Sequence, residues 1–494
     1  MKKMKHIKIL ILSLLLVVTA TSCKDFFDVN EPSNVVGETE LELNLLMPSA
    51  QYYTAMMQYN EAFSIGQVQQ HIASYFDHGI DQHYESSVSS VWTLYYTKAL
   101  YVLNKMEQLA DQENAVHYKG AIHTMKALTL GMATDLYGDI PYFEASQGSN
   151  FLQPGVDTQD MLYDEIQTLL STAISEFDAQ DNSGLSNLLG DGIYNGDLGK
   201  WKRLAYTLKA RYAMHLTKRN GSVAAANEAL GYLANGFTSN NDDFQLAFNE
   251  KQKNPWHTSV VLASNTGNVS VLFSEQLIDY MNGTSYPTAA PDPRLFDYAD
   301  NGGAATFEGA ENGNTGLTSA GTPANAVFNE NSYYFQQNSP LVLVSYAEAL
   351  FLKAEAEFLA NGGTSTSTGS IQAAYDAYKM GIEANMNKIG IDANLRDAYL
   401  TDPVIDMGAA NLKLEHIMKE KYIALLLNPE IFTDMRRYDF STNVFKDLSL
   451  PANHNPDIAG DWFKRAIYPV SELSKNPKLV PFKREINDPM WWEQ

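Results

Sequence analysis

The stretch Lys119-Gly-Ala-Ile-His-Thr-Met-Lys-Ala-Leu-Thr-Leu-Gly-Met-Ala-Thr-Asp-Leu-Tyr137 decides the fold. Ile122, Met125, Thr129, Met132 and Leu136 recur every three or four residues, the period of one face of an α-helix. Ala121, Ala127 and Ala133 leave room for close neighbours. Gly138-Asp139-Ile140-Pro141-Tyr142 then stops the helix, because glycine frees φ and proline cannot continue the ladder.

The same period appears on both sides. Leu41 to Met57 reads as a helix interrupted near Pro48, and Val91 to Leu109 as another. His78 to Ser90, with Gly79, Asp81, Gln82, His83 and Tyr84, reads as a loop between them. Thr158 precedes a helix carrying Leu162, Ile166, Leu169, Leu170 and Phe177. Leu198 to Lys218 is the next, with Trp201, Leu204, Leu208 and Tyr212 turned inward. From 220 to 340 glycine, asparagine and proline dominate, with short helices expected at Val223–Leu233 and Leu272–Met281. A long irregular segment of this kind is uncommon in a compact domain and is usually functional or disordered. Order returns with one helix through Val344, Leu350, Phe351 and Phe358, and a second through Ile371, Tyr375, Tyr378 and Ile382 that Ser370 would cap. Two helices joined by a short turn look like a tetratricopeptide-type hairpin. Leu412 to Leu427 adds a further helix. The chain is therefore mainly α, with helix pairs as a scaffold for a loop-rich, irregular half.

The first residues are of another kind. Lys2, Lys3, Lys5 and Lys8 precede a short apolar run from Ile9 to Val18, then small residues and Cys23. This is the layout of a secretory signal, and the run is shorter than the roughly 20 residues a spanning helix needs. Ala20-Thr21-Ser22-Cys23 resembles a bacterial lipobox, with Ala20 where the pattern usually has leucine. Cys23 is the only cysteine in the chain, and as an acylated N-terminus it has a purpose that a lone exported thiol would otherwise lack. The expected layout is a signal over 1–22, a lipidated tether over 23–40 and one α-helical domain over 41–494. Acidic residues after the cysteine resemble the surface-export signal of Bacteroidetes lipoproteins. With two or three acyl chains the anchor is firm.

Of the residues, 45% are apolar, and 28 Tyr, 22 Phe and 6 Trp suffice for a packed core. The net charge of −23 falls to near −27 once the four lysines of the signal are removed. Such a surface repels nucleic acid and anionic lipid, so neither is expected as a partner. The most basic stretch, with Lys202, Arg203, Lys209, Arg211, Lys218 and Arg219, reads as pairing with the chain's own excess of Asp and Glu in preference to an anion or partner contact. The sequons at Asn220, Asn268 and Asn282 are read as chance occurrences.

Catalytic signatures are absent from the sequence: it has no H-E-x-x-H, G-x-S-x-G, P-loop or dinucleotide fingerprint. His71, His78 and His83 match no metal-ligand spacing and read as scattered surface histidines. No metal or other cofactor is implied. Aromatic rings on polar loops are the positive signal: Tyr84 beside Asp81 and Gln82, then Trp256, Tyr286, Tyr333, Tyr334 and Trp462. An exposed ring offers a flat apolar face to the C–H groups of a sugar or to an apolar side chain, while nearby amides and carboxylates bond its polar groups.

Cys23 with Asp28-Val29-Asn30, Leu46-Met47-Pro48-Ser49-Ala50 and Trp92-Thr93-Leu94-Tyr95 begin a series of short motifs. Ala127 to Tyr142, Tyr194-Asn195-Gly196-Asp197 with Trp201, and Leu208-Lys209-Ala210-Arg211 continue it. Asp292-Pro293-Arg294-Leu295, Tyr346-Ala347-Glu348-Ala349, Lys353-Ala354-Glu355-Ala356, Asp434-Met435-Arg436-Arg437, Tyr468-Pro469 and Trp491-Trp492 complete it. In this order they resemble the SusD/RagB outer-membrane nutrient-binding lipoproteins of Bacteroidetes. The resemblance implies four tetratricopeptide-like helix pairs, no catalysis, and a surface lipoprotein that captures a nutrient for a SusC-like, TonB-dependent transporter. A glycan is the expected nutrient and a peptide the alternative. Trp92, Tyr137, Trp201 and Tyr346 are expected to serve packing. Two other classes stay open, a surface glycoside hydrolase and an adhesin or assembly factor.

Overall fold

A computed structural model describes residues 41–76, 81, 88–458 and 460–494. Cys23, the signal and the tether lie outside the described residues, as do His78, Gln82, His83 and Tyr84.

Helix α1, Leu43–Ile65, runs through Pro48 without a break and goes a full two turns beyond Met57, where the sequence pattern ended it. Helix α2, Ser89–Leu94, passes through a π-turn at Tyr95–Ala99 into α3, Leu100–Glu113. Asn114 adopts φ +52° there and reverses the chain into α4, Val116–Tyr137. Helices α5 (Gln159–Asp178), α6 (Leu198–His215) and α7 (Ser222–Leu233) follow, each packed on its predecessor. Helix α8, Tyr346–Ala360, packs on α7 and pairs with α9, Gln372–Lys388. Helices α10 (Leu414–Ala424) and α11 (Glu430–Arg437) complete the scaffold. The N-cap of α9 is Ile371, with no side-chain bond, so Ser370 does not cap it.

Helix α4 differs from its sequence pattern. Only Val116 and Lys119 escape burial, so it is the central rod of the scaffold and not a two-faced surface helix. Its polar residues are satisfied inside. His123 lies between Glu176 at 2.7 Å and Glu107 at 2.9 Å. Asp135 accepts from the Trp492 indole at 3.0 Å and from the Tyr163 hydroxyl, with His215 at 3.3 Å. Close approach depends on glycine more than on the alanines. A Cβ on Gly120 would stand 2.6 Å from the Phe177 ring, and one on Gly131 only 2.0 Å from the Tyr212 hydroxyl.

The basic residues of α6 are spent inside the molecule. Arg211 meets Glu348 through two bonds of 2.7 and 2.8 Å, and Arg203, Lys202 and Lys218 pair with Asp242, Asp178 and Asp439. Lys209 reaches the Ser171 hydroxyl at 2.7 Å, and the Arg219 guanidinium lies over the Trp491 ring. Buried charges need such partners, because taking an unpaired ion out of water is costly.

Between α7 and α8 the chain is held by three two-stranded antiparallel sheets. Strands β1 (Ile72–Ser74) and β3 (Val271–Phe273) pair in the register Ile72↔Phe273. Strand β2 (Phe244–Leu246) pairs with β6 (Leu341–Val344), and β4 (Ala299–Asp300) with β5 (Val327–Phe328). The expected helix at 272–281 is thus a strand followed by a short helix, α-helical only over Glu275–Met281. One contiguous set of buried side chains extends from Leu43 to Trp492. Trp92, Tyr137 and Trp201 belong to it, and Tyr346 packs against it half-buried.

Candidate functional site

Among the described residues, the aromatics picked from polar loops do not line one open site. Trp256 is 4% exposed and meets Tyr59 edge-on, ring centroids 4.9 Å apart, with Phe63 at 5.9 Å. Tyr286 is 5% exposed, edge-on to Tyr280 at 5.2 Å, with the Lys446 ammonium over its ring at 4.9 Å. Burial drives its hydroxyl pKa well upward. Tyr333 and Tyr334 are half-buried and edge-on to each other at 5.2 Å. The Tyr333 hydroxyl donates to Gln245 at 3.1 Å, and burial lifts its pKa to about 12. Trp462 lies flat on Phe440, centroids 4.5 Å apart. Trp256 and Tyr334 do share one cavity wall, but that cavity holds about 20 Å³, room for a water and nothing larger.

Asp81 is also buried. Its carboxylate accepts the Gly313 amide at 2.6 Å and the Asn312 side-chain amide at 3.3 Å, so it positions a loop. His71, expected at the surface, is fully buried. Its Nδ1 accepts the Leu427 amide at 3.0 Å and its Nε2 faces the Tyr422 carbonyl at 3.0 Å. Burial lowers its pKa to about 3, so the ring is a neutral strut. Among the described residues no group of three His, Cys, Asp or Glu is arranged to hold a metal ion.

Open rings of the loop half lie elsewhere, Phe296 at 57% exposure among them. Tyr75 and Phe76 follow β1, are 37% and 65% exposed, and meet edge-on at 4.6 Å. The Tyr75 amide donates to the Ser270 carbonyl at 2.9 Å, which extends the β1–β3 pairing by one residue. Gly316 lies against the Tyr75 ring, where a Cβ would come within 2.7 Å, and its φ of +76° suits glycine. The loop that brings Gly316 also borders a cleft of about 250 Å³ lined by Gln70, Glu275, Asp279, Glu311, Ser319 and Asp447. Burial raises the Asp279 carboxyl to about 6 against its bond from Asn282, with the charges of Glu275, Glu308 and Asp447 adding to the rise. Open rings can hold the apolar face of a neutral polar molecule, and carboxylates and amides its hydroxyls; here the two kinds of group share the Gly316 loop. No local sequence signal marked this pair: two aromatics in succession put one ring on each side of the chain, and β1 just before them is buried on both sides.

A profile of the SusD-like family, described as starch-binding associating with the outer membrane, matches residues 34–469. Comparison with curated proteins finds no match. Solved structures share the fold. A chitin-binding protein aligns with TM-score 0.72 at 23% identity, over 92% of this chain and 100% of its own. A SusD homolog from Bacteroides fragilis aligns at 0.67 and 22%, over 91% of this chain and 100% of its own. A chitin-binding SusD homolog from Flavobacterium johnsoniae aligns at 0.68 and 19%, over 92% and 97%.

Proposed function

The chain belongs to the SusD-like family, and from that premise we propose that it is a non-catalytic binding protein that takes a glycan at its loop face. The observation that carries the reading is the open Tyr75–Phe76 pair, packed on the Gly316 loop whose Glu311 and Ser319 line the polar cleft. Gln82, Tyr84 and Tyr333 are proposed as further glycan contacts. The names of the family and of two structural neighbours, starch-binding and chitin-binding, make α-glucans and chitin fragments the glycans to try first. Titration calorimetry of the full chain against maltooligosaccharides and chitooligosaccharides tests this. Replacing both Tyr75 and Phe76 by alanine should weaken the best ligand at least about fivefold, the order of one lost ring contact. Unchanged affinity in that variant would remove the loop face from the reading.

Delivery to a TonB-dependent transporter, and anchoring in the outer membrane through acylated Cys23, belong to the same proposal. Among the described residues no helix is long and apolar enough to cross a membrane. A mild-detergent pull-down from the native membrane should recover a large β-barrel protein, and Cys23→Ala should abolish that recovery. A wild-type protein that emerges alone would argue against the partnership.

A further inference from the structure

The largest cleft among those described lies in the helical scaffold. It holds about 500 Å³ between α3, α4, α5 and the loop 142–150, and shares no lining residue with the loop-face cleft. That volume is within the range of about 300–1,000 Å³ of small-molecule sites. We propose that it is a second neutral-sugar site, of a size for one or two rings.

Four observations converge on it. First, Tyr101, Asn104, Lys105 and Gln108 fall at i, i+3, i+4 and i+7 on α3, so a whole helical face lines the cleft. Second, two rings stand open there, Tyr101 at 53% and Phe143 at 43% exposure. Phe143 is held in place: its amide donates to Asp157 at 3.0 Å, and Gln147 donates to its carbonyl at 2.6 Å.

Third, the polar side chains there are unspent. Among the described residues, Asn104, Gln108, Asn150 and Glu165 make no hydrogen bond, although all four line the cleft. Burial raises the Glu165 carboxyl, and it stands in the wall as an open acceptor. Fourth, the charges in the wall cancel. Lys105 and Lys126 oppose Glu107 and Glu165, and Lys126 is already paired with Glu107. A balanced wall discriminates against phosphates, polyanions and cations alike, and leaves a neutral polyol with one apolar face as the fitting ligand.

The proposal stands apart from the loop-face reading, and one experiment separates the two. Saturation-transfer NMR on the full chain would use N-acetylglucosamine, diacetylchitobiose and maltose as probes. It would compare wild type, Tyr75→Ala/Phe76→Ala and Tyr101→Ala/Phe143→Ala, with melting temperatures as the folding check. At least one probe should keep its signal in the Tyr75/Phe76 variant and lose threefold or more in the Tyr101/Phe143 variant, with Glu165→Gln reducing it as well. If no probe lost signal with Tyr101 and Phe143 while keeping it without Tyr75 and Phe76, or if no probe gave a signal, the second site would be overturned. Only if every responding probe kept its signal without Tyr75 and Phe76 and lost it without Tyr101 and Phe143 would this site stand and the loop face fall.

Discussion

The Asp81 carboxylate accepts the backbone N–H of Gly313 at 2.6 Å, and that bond holds the loop beside Tyr75 in place. Gly313 has φ +84°, and a Cβ there would collide with the Ala452 carbonyl at 1.6 Å, so the chain crosses at backbone distance. Asp81→Asn puts an amide donor where only acceptors fit. We expect a loss of about 1–3 kcal/mol together with weaker glycan binding, read by calorimetry of unfolding and of ligand titration. Full stability with full affinity would show that the loop needs no such tie.

Trp256 is a core residue, so truncating it should act on folding. Trp256→Ala removes the edge-on partner of Tyr59 and is expected to cost about 3–5 kcal/mol. Tyr75→Ala and Phe76→Ala, at open positions, should each stay within about 0.5 kcal/mol. Urea unfolding of the three variants checks the order, and comparable losses at all three would contradict the assignment of which rings are buried.

Arg211 and Glu348 are both buried and joined by two bonds of 2.7 and 2.8 Å. Arg211→Met should cost about 3–5 kcal/mol, because it leaves the Glu348 carboxylate uncompensated. Adding Glu348→Leu should return part of that loss, since Glu430 keeps His215 at 2.9 Å as a partner. A double variant no more stable than Arg211→Met alone would mean that shape, not charge, governs the site.

His123 offers a pH test. Burial works to lower its pKa, but the bonds the ring donates to Glu107 and Glu176, with the charges of both carboxylates, outweigh it and raise the ring to about 9. A raised folded-state pKa stabilises fully below the unfolded value and is lost as pH climbs through the folded one. The stability gap between wild type and His123→Gln should therefore be widest below about pH 6.5 and shrink towards pH 9. At its widest the histidine's protonation contributes at most about 3 kcal/mol. On the acid side, burial would raise Glu107, yet the His123 bond and the Lys126 ammonium hold it down to about 2, so the cluster survives mild acid. Chemical unfolding of both proteins from pH 5 to 9.5 would read this, and a gap that widens with pH would reverse the sign.

The helices could be read from the chain because their period is local: apolar residues three and four apart mark a buried face whatever lies against it. That is why α4 to α9 stand within a few residues of their expected ranges, and why the family motifs could be recognised by order alone. Local pattern said less about how much of each helix is covered. Helix α4 looked two-faced, but its polar side was closed by Glu107 and Glu176 from α3 and α5. Pro48 read as an interruption, but α1 continues through it and gives up only the one bond its missing N–H would have made to the Asn44 carbonyl.

Which rings would meet solvent was beyond the sequence. Trp256 and Tyr286 sit among polar neighbours in the chain, but their surroundings in space come from Tyr59, Phe63 and Lys446, far away along it. Tyr75 and Phe76 are open because the register Ile72↔Phe273 joins segments two hundred residues apart and carries the chain out past Ser270. The sequence by itself determined the helical scaffold and the family, since these are written in short-range pattern. The tertiary structure alone decided which aromatic faces and which carboxylates remain free for a ligand, because exposure depends on distant segments that close over a side chain or leave it uncovered.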